Sequence, residues 1–93
     1  MKLSDLRNIK DVPNPVFLLS SELVFISDFG IDWEEGIILI QDNTTNLPVT
    51  LSEFLEETRQ CPDNMEVIVR TMQGRTIGGS LSLCDKNNFF KNL

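Results

Sequence analysis

Apolar residues fall along this chain in short bursts, and their period changes from one burst to the next. Leu3, Leu6 and Ile9 recur at three-residue spacing, which predicts a short helix over about 5–10 with Ser4 as its cap. Pro13 and Pro15 then disfavour helix at the residues before them and force an extended segment. "VFLLS" and "ELVFISDF" follow, rich in β-branched and aromatic residues, and read as strands with Ser20-Ser21 as a kink or tight turn. "GIILIQ", 36–41, is apolar on both faces and reads as a central strand. Phe29 to Glu35 therefore falls at or near the connection between two antiparallel strands.

The second half changes period. "DNTTNLP", 42–48, is a polar loop, and Thr50 with Glu53 forms a Thr-x-x-Glu capping box that opens a helix running to about Gln60. Leu51, Phe54, Leu55 and Thr58 share one face of it, while Glu53, Glu56 and Glu57 point to water. Pro62-Asp63-Asn64 stops the helix, and "MEVIVRTM" alternates as a strand. Gln73-Gly74 turns that strand into a hairpin with "RTIGGSLSLC", where Gly78-Gly79 suggests a bulge. Phe89 and Phe90 are expected to dock a closing helical turn. The expected fold is one α+β domain over 1–93, with a mostly antiparallel sheet of four or five strands, a main helix at about 51–60 and a short N-terminal helix.

Composition sets limits on this picture. With 93 residues, 41% of them hydrophobic and including six Phe and one Trp, the chain can build one small core. So thin a core makes a homodimer the default expectation. No run reaches the roughly 18 apolar residues that span a bilayer, and the first ten residues lack the apolar block of a secretion signal. Cys61 and Cys84 are too few for a disulfide scaffold and read as thiols of a reducing cytoplasm.

Histidine and tyrosine are both absent. That removes the Ser-His and Cys-His nucleophile pairs, the commonest general base and the commonest metal ligand. The net charge is −6, and it is unevenly spread. Between Asp11 and Thr58 there is no Lys or Arg, while Asp28, Asp32, Glu34, Glu35, Glu53, Glu56 and Glu57 all lie inside. Such a surface repels nucleic acid and attracts a basic patch on another protein.

Several motifs dissolve on inspection. Asp28-Phe29-Gly30 spells the magnesium tripeptide of protein kinases, but the chain is far too short for that fold and has no His-Arg-Asp loop. The acids of 28–35 lack the spacing of an EF-hand calcium loop, and a glycosidase-like carboxylate pair needs a cleft that so short a chain has little room to build. Gly74 to Gly79 lacks the strand-then-helix setting and the Lys-Ser/Thr ending of a phosphate loop. Cys61 follows a helix C-terminus, where the dipole raises a thiol pKa. No metal, cofactor or catalytic residue is expected. Trp33 resists such dismissal: between Asp32 and Glu34-Glu35, in an expected turn, it is either folded back over the sheet edge or an aromatic anchor ringed by acids.

"TLSEFLEETRQCPDNMEVIVR", from Thr50 to Arg70, resembles the helix-turn-strand module of small phage and prophage proteins. The resemblance implies a mobile-element origin, where small acidic proteins often bind and disable a host protein; it brings no catalytic residue with it. The expected function is thus a non-enzymatic acidic binding protein. It would act as a decoy, a DNA mimic in its extreme form, on the basic groove of a host nuclease or DNA-binding protein. Its expected binding residues are Asp28, Asp32, Trp33, Glu34, Glu35, Glu53, Glu56 and Glu57. The alternative is an assembly subunit that self-associates through apolar strand surfaces.

Overall fold

Leu3 and Leu6 are fully buried, and the helix that carries them, α1 (Leu3–Arg7), begins and ends earlier than their spacing predicts. Ser4 lies inside α1 rather than at its cap. Lys2 takes the cap position because its backbone is still paired like a strand, bridged to Glu66, while the Leu3 N–H donates to the Met65 carbonyl (2.8 Å). The Asp5 carboxylate then accepts from the Lys2 N–H (2.9 Å). Tertiary pairing, not local capping, sets where this helix starts. The computed structural model describes residues 1–9, 14–19, 24–41, 47–71, 73–76, 81–84 and 89–93. The expected Ser20-Ser21 kink and the Gly78-Gly79 bulge lie outside them, as does most of the 42–48 loop.

Six strands form the sheet: β1 (Val16–Leu19), β2 (Val24–Asp32), β3 (Gly36–Gln41), β4 (Val67–Thr71), β5 (Leu81–Cys84) and β6 (Phe89–Asn92). Their order is β4-β3-β2-β1-β5-β6. Every neighbouring pair is antiparallel except β3 and β4, which run parallel. Parallel neighbours need a long crossover, and the main helix α2 (Leu51–Glu57) supplies it. The fold is α+β, with one main helix and a short N-terminal one, as the residue pattern predicts. β3 is internal to the sheet, also as predicted.

Two expectations fail, and for a shared reason. The segment 89–92 is a sixth strand rather than a helical turn, because its backbone bonds to β5 along the Ser82–Asn92 ladder. The predicted hairpin of β4 with "RTIGGSLSLC" also fails at its far end, because 81–84 is strand β5 and lies beside β1. Its turn is present, with Gly74 at φ +87° and the Thr71 N–H on the Arg75 carbonyl (2.9 Å). Among the described residues that follow the turn, Thr76 bridges Arg70, and β5 pairs with β1 from Val16–Cys84 to Leu19–Leu81. Local sequence specifies strand and turn; which strand pairs with which is settled by where apolar faces meet.

β2 changes partner along its length, pairing with β1 at Val24 and Phe25 and with β3 from Ile26 to Asp32. A register shift between Ile26 and Asp28 marks the bend. One face of the sheet carries the core. Phe17 meets Phe54 edge-on at 5.3 Å between ring centres, and Phe29 tilts against the same ring at 5.1 Å. Ile37, Leu39 and Leu83 are fully buried around them. α2 ends at Glu57 with Thr58 as its cap, short of the predicted Gln60. Leu51, Phe54 and Thr58 are buried, Leu55 is half-buried, and Glu53, Glu56 and Glu57 are exposed, matching the predicted faces. Arg7 ties the two helices by donating Nη2 to the Thr58 carbonyl (2.8 Å) and pairing with Asp63. Cys61 and Cys84 are buried thiols.

Candidate functional site

The connection between β2 and β3 is shorter than the predicted 29–35, because β2 stays extended through Asp32 and only Trp33, Glu34 and Glu35 turn. Asp32 builds that turn. Its Oδ1 accepts from the Glu34 N–H (2.9 Å) and the Glu35 N–H (3.1 Å), an Asx-type arrangement that replaces backbone partners with a carboxylate. The Glu34 N–H, then the Glu35 N–H, hold the Asp32 carboxyl below the ordinary aspartate value, with a smaller contribution from the positive charge of Arg70. Gly36 closes the turn at φ +128°, where its missing side chain lets the Glu66 carbonyl approach. The Ile37 N–H donates to that carbonyl (2.8 Å).

Trp33 stands at the tip, 67% exposed, and does not fold back over the sheet. Ile31, 37% exposed, is on the adjoining strand. The acids around the ring are not equivalent. Asp32 is occupied by the turn, and Glu35 pairs with Arg70. Glu34 is exposed, and its carboxylate has no partner among the described residues. Arg70, missed as a site residue, comes from outside the base-free span. Nothing in the local sequence signals it, since it arrives through the parallel pairing of β4 with β3.

The remaining predicted residues lie apart from the tip. Phe29 packs inward on Phe54, so Asp28, its neighbour in an alternating strand, points to the opposite face. Asp28 is exposed there and accepts the Phe29 N–H at 2.8 Å. Glu53, Glu56 and Glu57 are on α2, across the sheet from Asp28. Glu53 belongs to the helix cap: its N–H donates to Thr50 Oγ1 (3.1 Å), and its carboxylate accepts from the same hydroxyl (3.2 Å). This is half of the predicted capping box, because the carboxylate takes the hydroxyl rather than the Thr50 N–H. Glu56 pairs with Arg59 at 2.8 Å on the exposed helix surface. Glu57 is exposed with no partner among the described residues.

An open groove of about 530 Å³ runs beside the start of α2, lined by Asn14, Pro15, Leu51, Ser52, Leu55 and Glu56. Two of its polar groups are used internally: Asn14 Oδ1 accepts the Ser52 N–H (3.1 Å), and Glu56 pairs with Arg59. Among the described residues no three of Cys, Asp or Glu gather closely enough to hold a metal ion. No helix among them is long and apolar enough to cross a membrane. The chain matches no protein-family model, no curated protein and no solved structure.

Proposed function

We propose that this chain is a non-catalytic acidic binding protein that docks its β2–β3 hairpin tip onto a basic protein surface of the kind that receives nucleic acid. It acts there as a decoy, an inhibitor of the phage type, on a nuclease or DNA-binding protein of a host bacterium. One observation carries the reading: Trp33 is 67% exposed on a turn made rigid by Asp32, where the ring adds nothing to the core. Large aromatics held at the centre of an interface supply much of its binding energy.

Glu34 is the tip carboxylate available to a partner cation, and charge of this kind steers encounter and selects a basic surface. The acids of α2 stand on the other side of the sheet from Asp28 and do not extend the tip. Recognition is therefore a single aromatic anchor with acidic flanks rather than a long ladder of phosphate substitutes.

Immobilised protein exposed to bacterial lysate and washed with rising salt tests this. The wild type retains a basic nucleic-acid-binding protein, which leaves at moderate salt and is displaced by duplex DNA. Trp33→Ala and Glu34→Lys retain none of it. Because Trp33 is the one tryptophan of this chain, the emission it adds to that of the purified partner alone shifts to the blue on binding. Retention of the same protein by Trp33→Ala would remove the tip as the site.

A further inference from the structure

The sheet has a second face, turned away from the helices, and its composition is self-complementary. Side chains alternate across a strand. In β3, Ile37 and Leu39 are buried in the core while Ile38 and Ile40 are half-buried on the outward side. In β4, Val67 and Val69 face the core while Ile68 and Arg70 face outward. The register pairs Ile38 with Ile68 on one side and Gly30 on the other. It pairs Ile40 with Arg70 on one side and Asp28 on the other. Two rows therefore cross the outward face from β4 to β2, one reading Ile68–Ile38–Gly30 and the next Arg70–Ile40–Asp28.

Each row is large or positive at its β4 end and small or negative at its β2 end. Among the described residues no atom lies within 4 Å of where a Cβ on Gly30 would stand, so a shallow opening sits there. A half-turn about an axis along β3, between two sheets packed face to face about 10 Å apart, lays β4 of one copy over β2 of the other. The same rotation keeps each row at its own level. Ile68 then fills the opening at Gly30, Arg70 meets Asp28, and Ile38 and Ile40 meet their own counterparts. Arg70 gives Nη2 to Glu35 and Nε to Thr76, which leaves Nη1 for the contact. Asp28 Oδ1 accepts the Phe29 N–H, which leaves Oδ2.

We infer that the outward face of β2, β3 and β4 is an isologous homodimer interface, with Ile68 of one copy seated over Gly30 of the other and Arg70 paired with Asp28. A second copy is the occupant because the face supplies both its own size complement and its own charge complement, which a two-fold interface requires. The dimer stands independently of the proposed partner. If that partner exists, the same axis brings both Trp33 tips to one end, so that the two sites engage together.

Sedimentation velocity across protein concentration tests the interface. The wild type passes from 10.6 kDa to twice that mass as concentration rises. Gly30→Val keeps the fold, since a Cβ meets no described atom, yet weakens the dimer by roughly tenfold or more. Asp28→Lys alone and Arg70→Glu alone each oppose like charges and are monomeric. Mixed together, the two charge-reversed chains form a heterodimer, because each then meets an opposite charge at both contacts. Should Gly30→Val fail to fold, the mixing experiment decides by itself. A wild type that stays at the monomer mass at every concentration overturns the inference. So does a dimer that survives the single charge reversals, or two reversed chains that do not combine.

Discussion

Arg70 on β4 closes onto the carboxylate of Glu35 in the hairpin turn, 35 residues earlier in the chain. The span that holds Glu35 contains no base of its own, so a segregated charge pattern in sequence becomes a paired one in space. The pair is only partly shielded, with side chains 25% and 50% exposed. Glu35→Gln should therefore lower stability by about 1 kcal/mol at most. That loss should shrink in high salt, as screening predicts. Urea unfolding at low and high ionic strength measures it; an equal loss in both would mean the charge is not what matters.

Asp32 links the turn to pH. Its folded pKa lies below the ordinary value of 3.8, chiefly through the Glu34 and Glu35 N–H groups, so the charged form is favoured by folding. The corresponding stability is fully present above the ordinary value and is lost as pH falls through the lowered one. Asp32→Asn keeps an acceptor for the turn but should lose this acid dependence. Carboxyl titration by NMR checks the direction, and a normal or raised Asp32 value would refute the turn's role.

Gly36 and Gly30 should respond oppositely to the same change. At Gly36, φ is +128° and an added Cβ would stand 2.4 Å from the Glu66 carbonyl oxygen. Gly36→Ala should cost about 2 kcal/mol or more, by strain and by pushing β4 away from β3. Gly30→Ala has open space among the described residues of the single chain and, at concentrations where the chain is a monomer, should be neutral or stabilising. Comparing their urea midpoints tests both; similar losses would contradict the register of β2, β3 and β4.

Phe54 is the ring on which both halves of the sheet converge, touching Phe17 of β1 and Phe29 of β2. Phe54→Ala should remove roughly 3–5 kcal/mol, a large share of what a domain this small possesses. Phe54→Leu should recover much of it. Thermal unfolding by circular dichroism gives the order, and a small loss in the alanine variant would place the core elsewhere.

Trp33, Asp32 and Gly36 illustrate how much of the candidate site could be read in advance. A carboxylate, a large ring and a glycine between two apolar runs announce a turn, and the turn is there, but whether the ring folds back or stands exposed was decided by the structure. The roles of the acids could not be read in the same way. Acidic residues alike in type serve as turn acceptor (Asp32), helix cap (Glu53), ion-pair member (Glu35, Glu56) and charge with no partner among the described residues (Glu34, Glu57), and only neighbours distinguish them.

Short-range patterning by itself determined the α+β class, the position and faces of α2, the interior placement of β3 and the polarity of the hairpin tip, because period, capping and turn chemistry act within a few residues. Tertiary structure alone decided the start of α1 at the bridge to Glu66, the pairing of β5 with β1 and the recruitment of 89–92 as a strand. It also brought Arg70 to Glu35. Those outcomes depend on backbone groups and charges finding partners far along the chain, and a strand's own residues state its faces without naming its neighbour.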